Sequence, residues 1–267
     1  MPESTREQGP SPRKSNMPKA GPPGWDPSHH GDTGRHPPSN IPERPYNPPH
    51  EPLKIVAERD RWVAINKPSG LLSVPGRGEH KADCAVSRVL AHRHDATGPM
   101  TVHRLDLETS GILLVALDPR AQATLSRQFM KRKTRKRYLA VLDGRVGPDE
   151  GEIDLPIAVD WPNRPKKKID YDEGKPSLTK YRVLERTESE LGPRTRVKFV
   201  PITGRSHQLR IHAATPVEQG GMGCPIAGDS LYGDESSAPR LLLHAAHLTF
   251  YEPDTPERIL LDCDPEF

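Results

Sequence analysis

HRLDLETSGILLVAL, residues 103–117, sets a dense polar run directly before seven residues, Gly111 to Leu117, that carry no polar side chain. Seven is a strand's length and too short for an independent helix, so the apolar run reads as a buried strand. Asp118 and Pro119 follow as an N-cap with proline at the first helical position, and they predict a helix with Ala121, Leu125 and Phe129 on one face. A carboxylate at Asp106 would then be fixed by the rigid strand behind it. Arg104, two residues earlier, supplies a positive field that favours an ionised Asp106, fit to act as nucleophile or base. A plain turn closed by Asp, Thr and Ser accounts for the same residues equally well.

Working outward, Leu53 to Ala57 and Trp62 to Asn66 read as short strands, followed by the turn-rich Lys67 to His80. DCAVSRVLAH (83–92) spaces Val86, Val89 and Leu90 as a helix does. Further strands are predicted at Tyr138 to Leu142, Ile153 to Ala158, Leu178 to Leu184, Arg196 to Ile202 and Leu241 to Phe250. Ser206 is placed to cap a short helix carrying His207, Arg210 and Ile211. Many strands, few helices and no βαβ alternation predict an α+β fold, a largely antiparallel mixed sheet with flanking helices and loops.

Thirteen of the 31 prolines fall in the first 50 of 267 residues. Residues 1–47 offer almost nothing to bury and are expected to be a disordered tail, with 48–267 as one folded domain. His29, His30 and His36 in that tail read as solvated side chains and not as a metal site. Cys84, Cys224 and Cys263 are odd in number and lack C-x-x-C spacing, which argues against a disulfide framework and a zinc site. The absence of a long apolar run or secretion signal predicts a soluble, cytoplasmic protein without a membrane segment.

Two more polar segments sit at predicted element ends: Lys67-Pro68-Ser69-Gly70-Leu71 after a strand, and GRSHQLR (204–210) leading into a helix whose N-terminus, with Arg205 and Arg210, would suit an anion. The formal charge is only +3, yet KRKTRKR (131–137) puts six cations in seven residues, and Arg164 to Lys168 adds a second cluster. Local basic patches on a nearly neutral chain fit a nucleic-acid backbone, or else a solvated face.

Taken together, HRLDLETSG (103–111), KPSGL (67–71) before it, Tyr138-Leu139-Ala140-Val141 after it and GRSHQLR (204–210) beyond resemble the RluA-type pseudouridine synthases, whose four motifs occur in this order. NPPHEPL (47–53), NKPSGLLSVPGR (66–77), LPIAVDWPNRPKKK (155–168) and PRLLLHA (239–245) are similar to the dual-specificity branch of that family, which modifies a 23S rRNA stem-loop and the tRNA anticodon loop. The likeness spans about residues 46–251. TPVEQGGMG (215–223) lengthens a turn that is short in the family, and Cys224 stands where histidine is usual.

The resemblance implies a pseudouridine synthase fold and an isomerase of uridine in structured RNA, 23S rRNA and/or tRNA, that works as a monomer with no cofactor and no metal. It implies catalytic roles for Asp106, for Tyr138 against the base and for Arg205 as the partner of Asp106. Arg104, His103, Lys67, Arg77, His207, Arg210, Lys131, Arg132 and Lys133 are expected on the RNA-facing side. Two other classes compete. A non-catalytic RNA-binding or ribosome-assembly protein would be favoured by loss of Asp106, Tyr138 or Arg205, and all three residue types are present. A glycoside hydrolase would need a second acid and stacking aromatics, for which only Glu108 is near.

Overall fold

Both faces of the Gly111–Leu117 run are covered, which is why it carries no polar residue. Ile112, Leu114 and Ala116 point into a core shared with Ala121 and Leu125, while Leu113, Val115 and Leu117 point into one shared with Ala85 and Val89. The computed structural model describes residues 39–98 and 100–267. In chain order the strands are β1 (Lys54–Arg59), β2 (Trp62–Lys67), β3 (Ser110–Ala116), β4 (Arg135–Asp143), β5 (Glu150–Asp154), β6 (Ile157–Val159), β7 (Lys167–Ile169), β8 (Leu178–Ser189), β9 (Gly192–Pro201), β10 (Leu243–Tyr251) and β11 (Arg258–Asp262). The helices are α1 (Ala85–His92), α2 (Pro119–Met130) and α3 (Gln208–Ala214).

The main sheet runs β1-β2-β3-β10-β4-β9-β8-β5, with β11 paired to β10 and a separate β6-β7 ribbon. Its pairings are antiparallel except β3 with β10, which meet only through Ser110 and Gly111. Gly111 permits that junction. Its φ is +108°, and a Cβ there would lie 2.5 Å from the backbone nitrogen and oxygen of Ala245. Polar residues before β3 are thereby carried to the middle of the sheet, where β3, β10 and β4 come together.

The α+β expectation and the Asp118 cap of α2 hold. The Asp118 carboxylate accepts from the N–H groups of Arg120 and Ala121, and α2 buries Ala121 and Leu125. Three readings are corrected. β4 begins at Arg135, so the second half of the basic run is strand and not helix end. β7 and β11 are strands beyond those that the sequence pattern predicts. Ser206 does not cap α3: His207 holds that position at φ 58°, and the Gln208 side chain accepts from the Arg205 N–H at 3.0 Å. Of the segment expected as a tail, residues 39–47 lie against the body. The Tyr46 hydroxyl donates to the Asp83 carbonyl at 2.8 Å and accepts from Leu72 N–H at 3.1 Å, and Arg44 pairs with Glu235. The tail histidines lie outside the described residues.

Candidate active site

A cleft of about 1290 Å³ opens where the loop before β3, the start of β4 and the 203–210 segment converge, and Asp106, Tyr138, Arg205, His207 and Arg210 all line it. Asp106 is half-buried, and its carboxylate makes no hydrogen bond or ion pair among the described residues. Its negative charge nonetheless acts on Lys67, Tyr138, Lys167, His207, Arg210 and Tyr232. Tyr138 packs against two of the three core clusters, which fixes its ring. Burial, and secondarily the Asp106 charge, push its phenol far above the ordinary value, so it is neutral at physiological pH.

The expected Asp106–Arg205 pair is not formed. The Arg205 side chain is exposed and makes one hydrogen bond, to the Pro176 carbonyl. The buried arginine of the cleft lining is Arg210, 2% exposed. Its Nε and one Nη clamp the Asp229 carboxylate at 2.8 and 2.6 Å, the same Nη reaches Glu108 at 2.8 Å, and the Tyr232 ring lies 5.6 Å away. Burial works against the Arg210 charge, but Asp229, Glu108 and Asp106 outweigh it and raise the pKa. The remaining nitrogen, Nη1, has no partner among the described residues, on a side chain that lines the cleft with Asp106. Asp229 is wholly buried and also accepts from the N–H groups of Leu231 and Tyr232. At the start of α3, where an anion was expected, Arg210 is already engaged by Asp229 and Glu108, and the Gln208 side chain takes the Arg205 N–H.

His207 lines the cleft and is held through Nδ1, 3.0 Å from the Tyr232 hydroxyl, which itself accepts the Lys167 N–H at 2.7 Å. Burial lowers the His207 pKa against the opposing pull of Asp106.

Other expectations divide. Arg104 and Arg132 line the cleft; Arg77, Lys131 and Lys133 are exposed outside it. His103 also lines the cleft and is held firmly there: its Nε2 accepts the Leu114 N–H at 3.0 Å, on the edge of β3 that β10 leaves unpaired, and its ring stacks on Phe129 at 4.4 Å. Burial, reinforced by Lys136, lowers its pKa to about 3, so it stays neutral.

Lys67 is not RNA-facing. It is wholly buried, and its Nζ donates to the carbonyls of Pro68, Leu71 and Leu107 at 2.9, 2.7 and 3.1 Å, tying the 67–71 turn to the loop that carries Asp106. Lys67→Met takes the donor from the Pro68 and Leu71 carbonyls and leaves the Leu107 carbonyl only the Gly70 N–H, and it is expected to cost about 2–4 kcal/mol in denaturant unfolding. Burial lowers the folded pKa of Lys67 to about 7, against the Asp106 charge. The unfolded chain then binds one more proton than the folded chain from about pH 7 to about pH 10. Stability from this site rises across that window, and the gap between wild type and Lys67→Met widens from pH 7 to 9. A gap that stays constant would show that Lys67 does not titrate there.

Asp229, Tyr232, Glu108 and Lys136 are the site residues that motif reading did not assign. Their signal was weak, because they act through burial and through partners distant in sequence.

A profile of the RNA pseudouridylate synthase family matches residues 61–215. The chain is 46% identical over 226 residues to the dual-specificity RNA pseudouridine synthase RluA of Vibrio parahaemolyticus, covering 82% of this chain and 87% of that protein. It is 46% identical over 212 residues to RluA of Escherichia coli K12, covering 78% and 91%. Among solved structures it is similar to human RNA pseudouridylate synthase domain containing 1, at 30% identity and a TM-score of 0.62, covering 85% of this chain and 86% of that one. Family profile, relatives and fold agree with a cleft centred on one unpartnered carboxylate: the chain belongs to the RNA pseudouridylate synthase family and is an isomerase that converts uridine in RNA to pseudouridine.

Proposed function

We propose that this isomerase acts, as a monomer, on a stem-loop of 23S rRNA and on a tRNA anticodon loop. The likeness to dual-specificity relatives over more than three quarters of the chain supports that range. One observation carries the assignment of roles: Asp106 is a cleft carboxylate without a partner, while each buried carboxylate near it is already clamped. The reaction breaks ribose C1′–N1, turns the uracil and joins C5 to C1′, with loss of the C5 proton. Asp106 serves the ribose, at C1′ as nucleophile or at C2′ as base. Tyr138, held neutral, offers its ring to the uracil. Arg210, which lines the cleft and feels the Asp106 charge, balances that charge in place of Arg205. Arg104 lines the cleft with an exposed side chain, placed to support the extruded nucleotide, whose unstacking costs a few kcal/mol.

Pseudouridine mapping by carbodiimide primer extension in cells with and without the gene tests the substrate range. Loss of one stop in 23S rRNA and one in the tRNA anticodon loop is the expected result. Loss in a single RNA class would restrict the proposal to that class.

A further inference from the structure

Asp106, Tyr138 and Arg210 account for one end of the cleft, yet the cleft extends to β11. On that sheet Arg135, Thr249 and Leu260 form one cross-strand row, and Tyr251 pairs with Arg258 in the next row on the same face. The opposite face, with Leu248, Phe250, Ile259 and Leu261, is core. Strand spacing puts Arg135 and Leu260 about 10 Å apart, and Arg135 lies about 10 Å along β4 from Tyr138. The Gln128 side chain exchanges two hydrogen bonds with the Tyr251 backbone, each 2.8 Å, which ties the end of α2 to the edge of β10. Met130 and Arg132, just beyond, join the cleft lining.

Two features of this face are unusual for a solvated surface. Met130 is 78% exposed and Leu260 59% exposed, large apolar side chains left open inside a polar cleft. Around them Arg132, Arg135 and Arg258 make no ion pair or side-chain hydrogen bond among the described residues, whereas Arg137, in the same strand as Arg135, is paired with Asp262. Unpaired arginines beside open apolar side chains match a nucleotide: phosphate to guanidinium, base face to the thioether and aliphatic surface or to a guanidinium plane.

We propose that Met130, Arg132, Arg135, Arg258 and Leu260 form a second nucleotide subsite, which takes an unpaired base of the substrate RNA flanking the target uridine. It rests on the reading of the cleft as the RNA site, and it makes this edge a reader of the target's neighbours. The subsite holds RNA in register and takes no part in bond making.

Fluorescence anisotropy with a labelled anticodon stem-loop RNA tests it, using that RNA, versions with one abasic site at each position flanking the target, and a fully paired duplex of equal length. The Met130→Ser/Leu260→Ser protein is expected to bind the stem-loop about tenfold more weakly, as loss of one stacked base would give. Its salt slope should be that of wild type, and duplex binding should be unaffected. One abasic RNA should bind wild type as weakly as the intact RNA binds the variant. Arg258→Gln should lower the log K against log salt slope by about 0.7. Stem-loop affinity within twofold of wild type for the double variant, an equal loss on the duplex, or no abasic position that erases the difference would overturn the subsite. Tritium release from 5-tritiated uridine in the same RNA is measured alongside: its absence in wild type would undercut the substrate assignment, while the binding comparison still decides the subsite.

Discussion

Asp106→Asn is expected to lower pseudouridine formation by about 10⁴-fold or more, with RNA affinity within a few-fold of wild type. The two readouts separate because Asp106 holds no part of the fold. Its carboxylate makes no hydrogen bond or ion pair among the described residues, so its removal leaves no orphaned donor, and its backbone carbonyl still accepts from Thr109 N–H. Asn keeps the shape and removes both the nucleophile and the base. The substitution also removes the anion that adds to the upward shift of the Tyr138 phenol, an effect second to burial. Tritium release from 5-tritiated uridine RNA measures the rate, and anisotropy at the same salt measures the affinity. Appreciable turnover by the variant would withdraw Asp106 from the chemistry; a loss of binding as large as the loss of rate would make it a binding residue.

The parts of this molecule legible in the sequence are those whose cause is local. β3 follows from its apolar run, and the α2 start from Asp118 and Pro119, because strand burial and capping act within a few residues. Lys67 shows the opposite case. Its pattern is that of a turn lysine open to ligand, but two of its carbonyl acceptors come from its own turn and the third from Leu107, forty residues on, so only the folded chain reveals that all three N–H groups are used. β11 was hidden for a related reason: its alternation of Ile259 and Leu261 with exposed residues becomes a strand through pairing with β10. The choice between Arg205 and Arg210 did leave a trace. Arg205 lies between Gly204 and Ser206, whereas Arg210 lies between Leu209 and Ile211, an apolar setting in which a cation must be buried and paired. The partners themselves, Glu108 in the motif before β3 and Asp229 nineteen residues on, could not be named without the fold.

That contrast yields the second large effect. Arg210→Met is expected to cost about 3–5 kcal/mol of stability and nearly all activity, while Arg205→Met leaves the melting temperature close to that of wild type. The asymmetry follows from what each arginine leaves behind. Without Arg205, the Pro176 carbonyl loses one long, exposed contact of 3.4 Å. Without Arg210, the wholly buried Asp229 carboxylate keeps only the N–H groups of Leu231 and Tyr232, Glu108 keeps only the Ser230 hydroxyl at 2.7 Å, and no buried cation is left to balance the two. The pH dependence carries the same signature. Burial alone would raise the Asp229 pKa, but the hydrogen bonds and charge of Arg210, with the two backbone N–H groups, hold it below the usual carboxylate value. A depressed folded pKa means that the pair's stabilisation is complete above the unfolded value near 4 and is lost as the pH falls through the folded one. Denaturant unfolding of the two proteins should therefore differ most near neutrality and converge below about pH 4. A gap independent of pH would show that the cost of Arg210→Met is lost packing against Tyr232 and not an unpaired carboxylate, and a destabilised Arg205→Met protein would return the role of buried partner to Arg205.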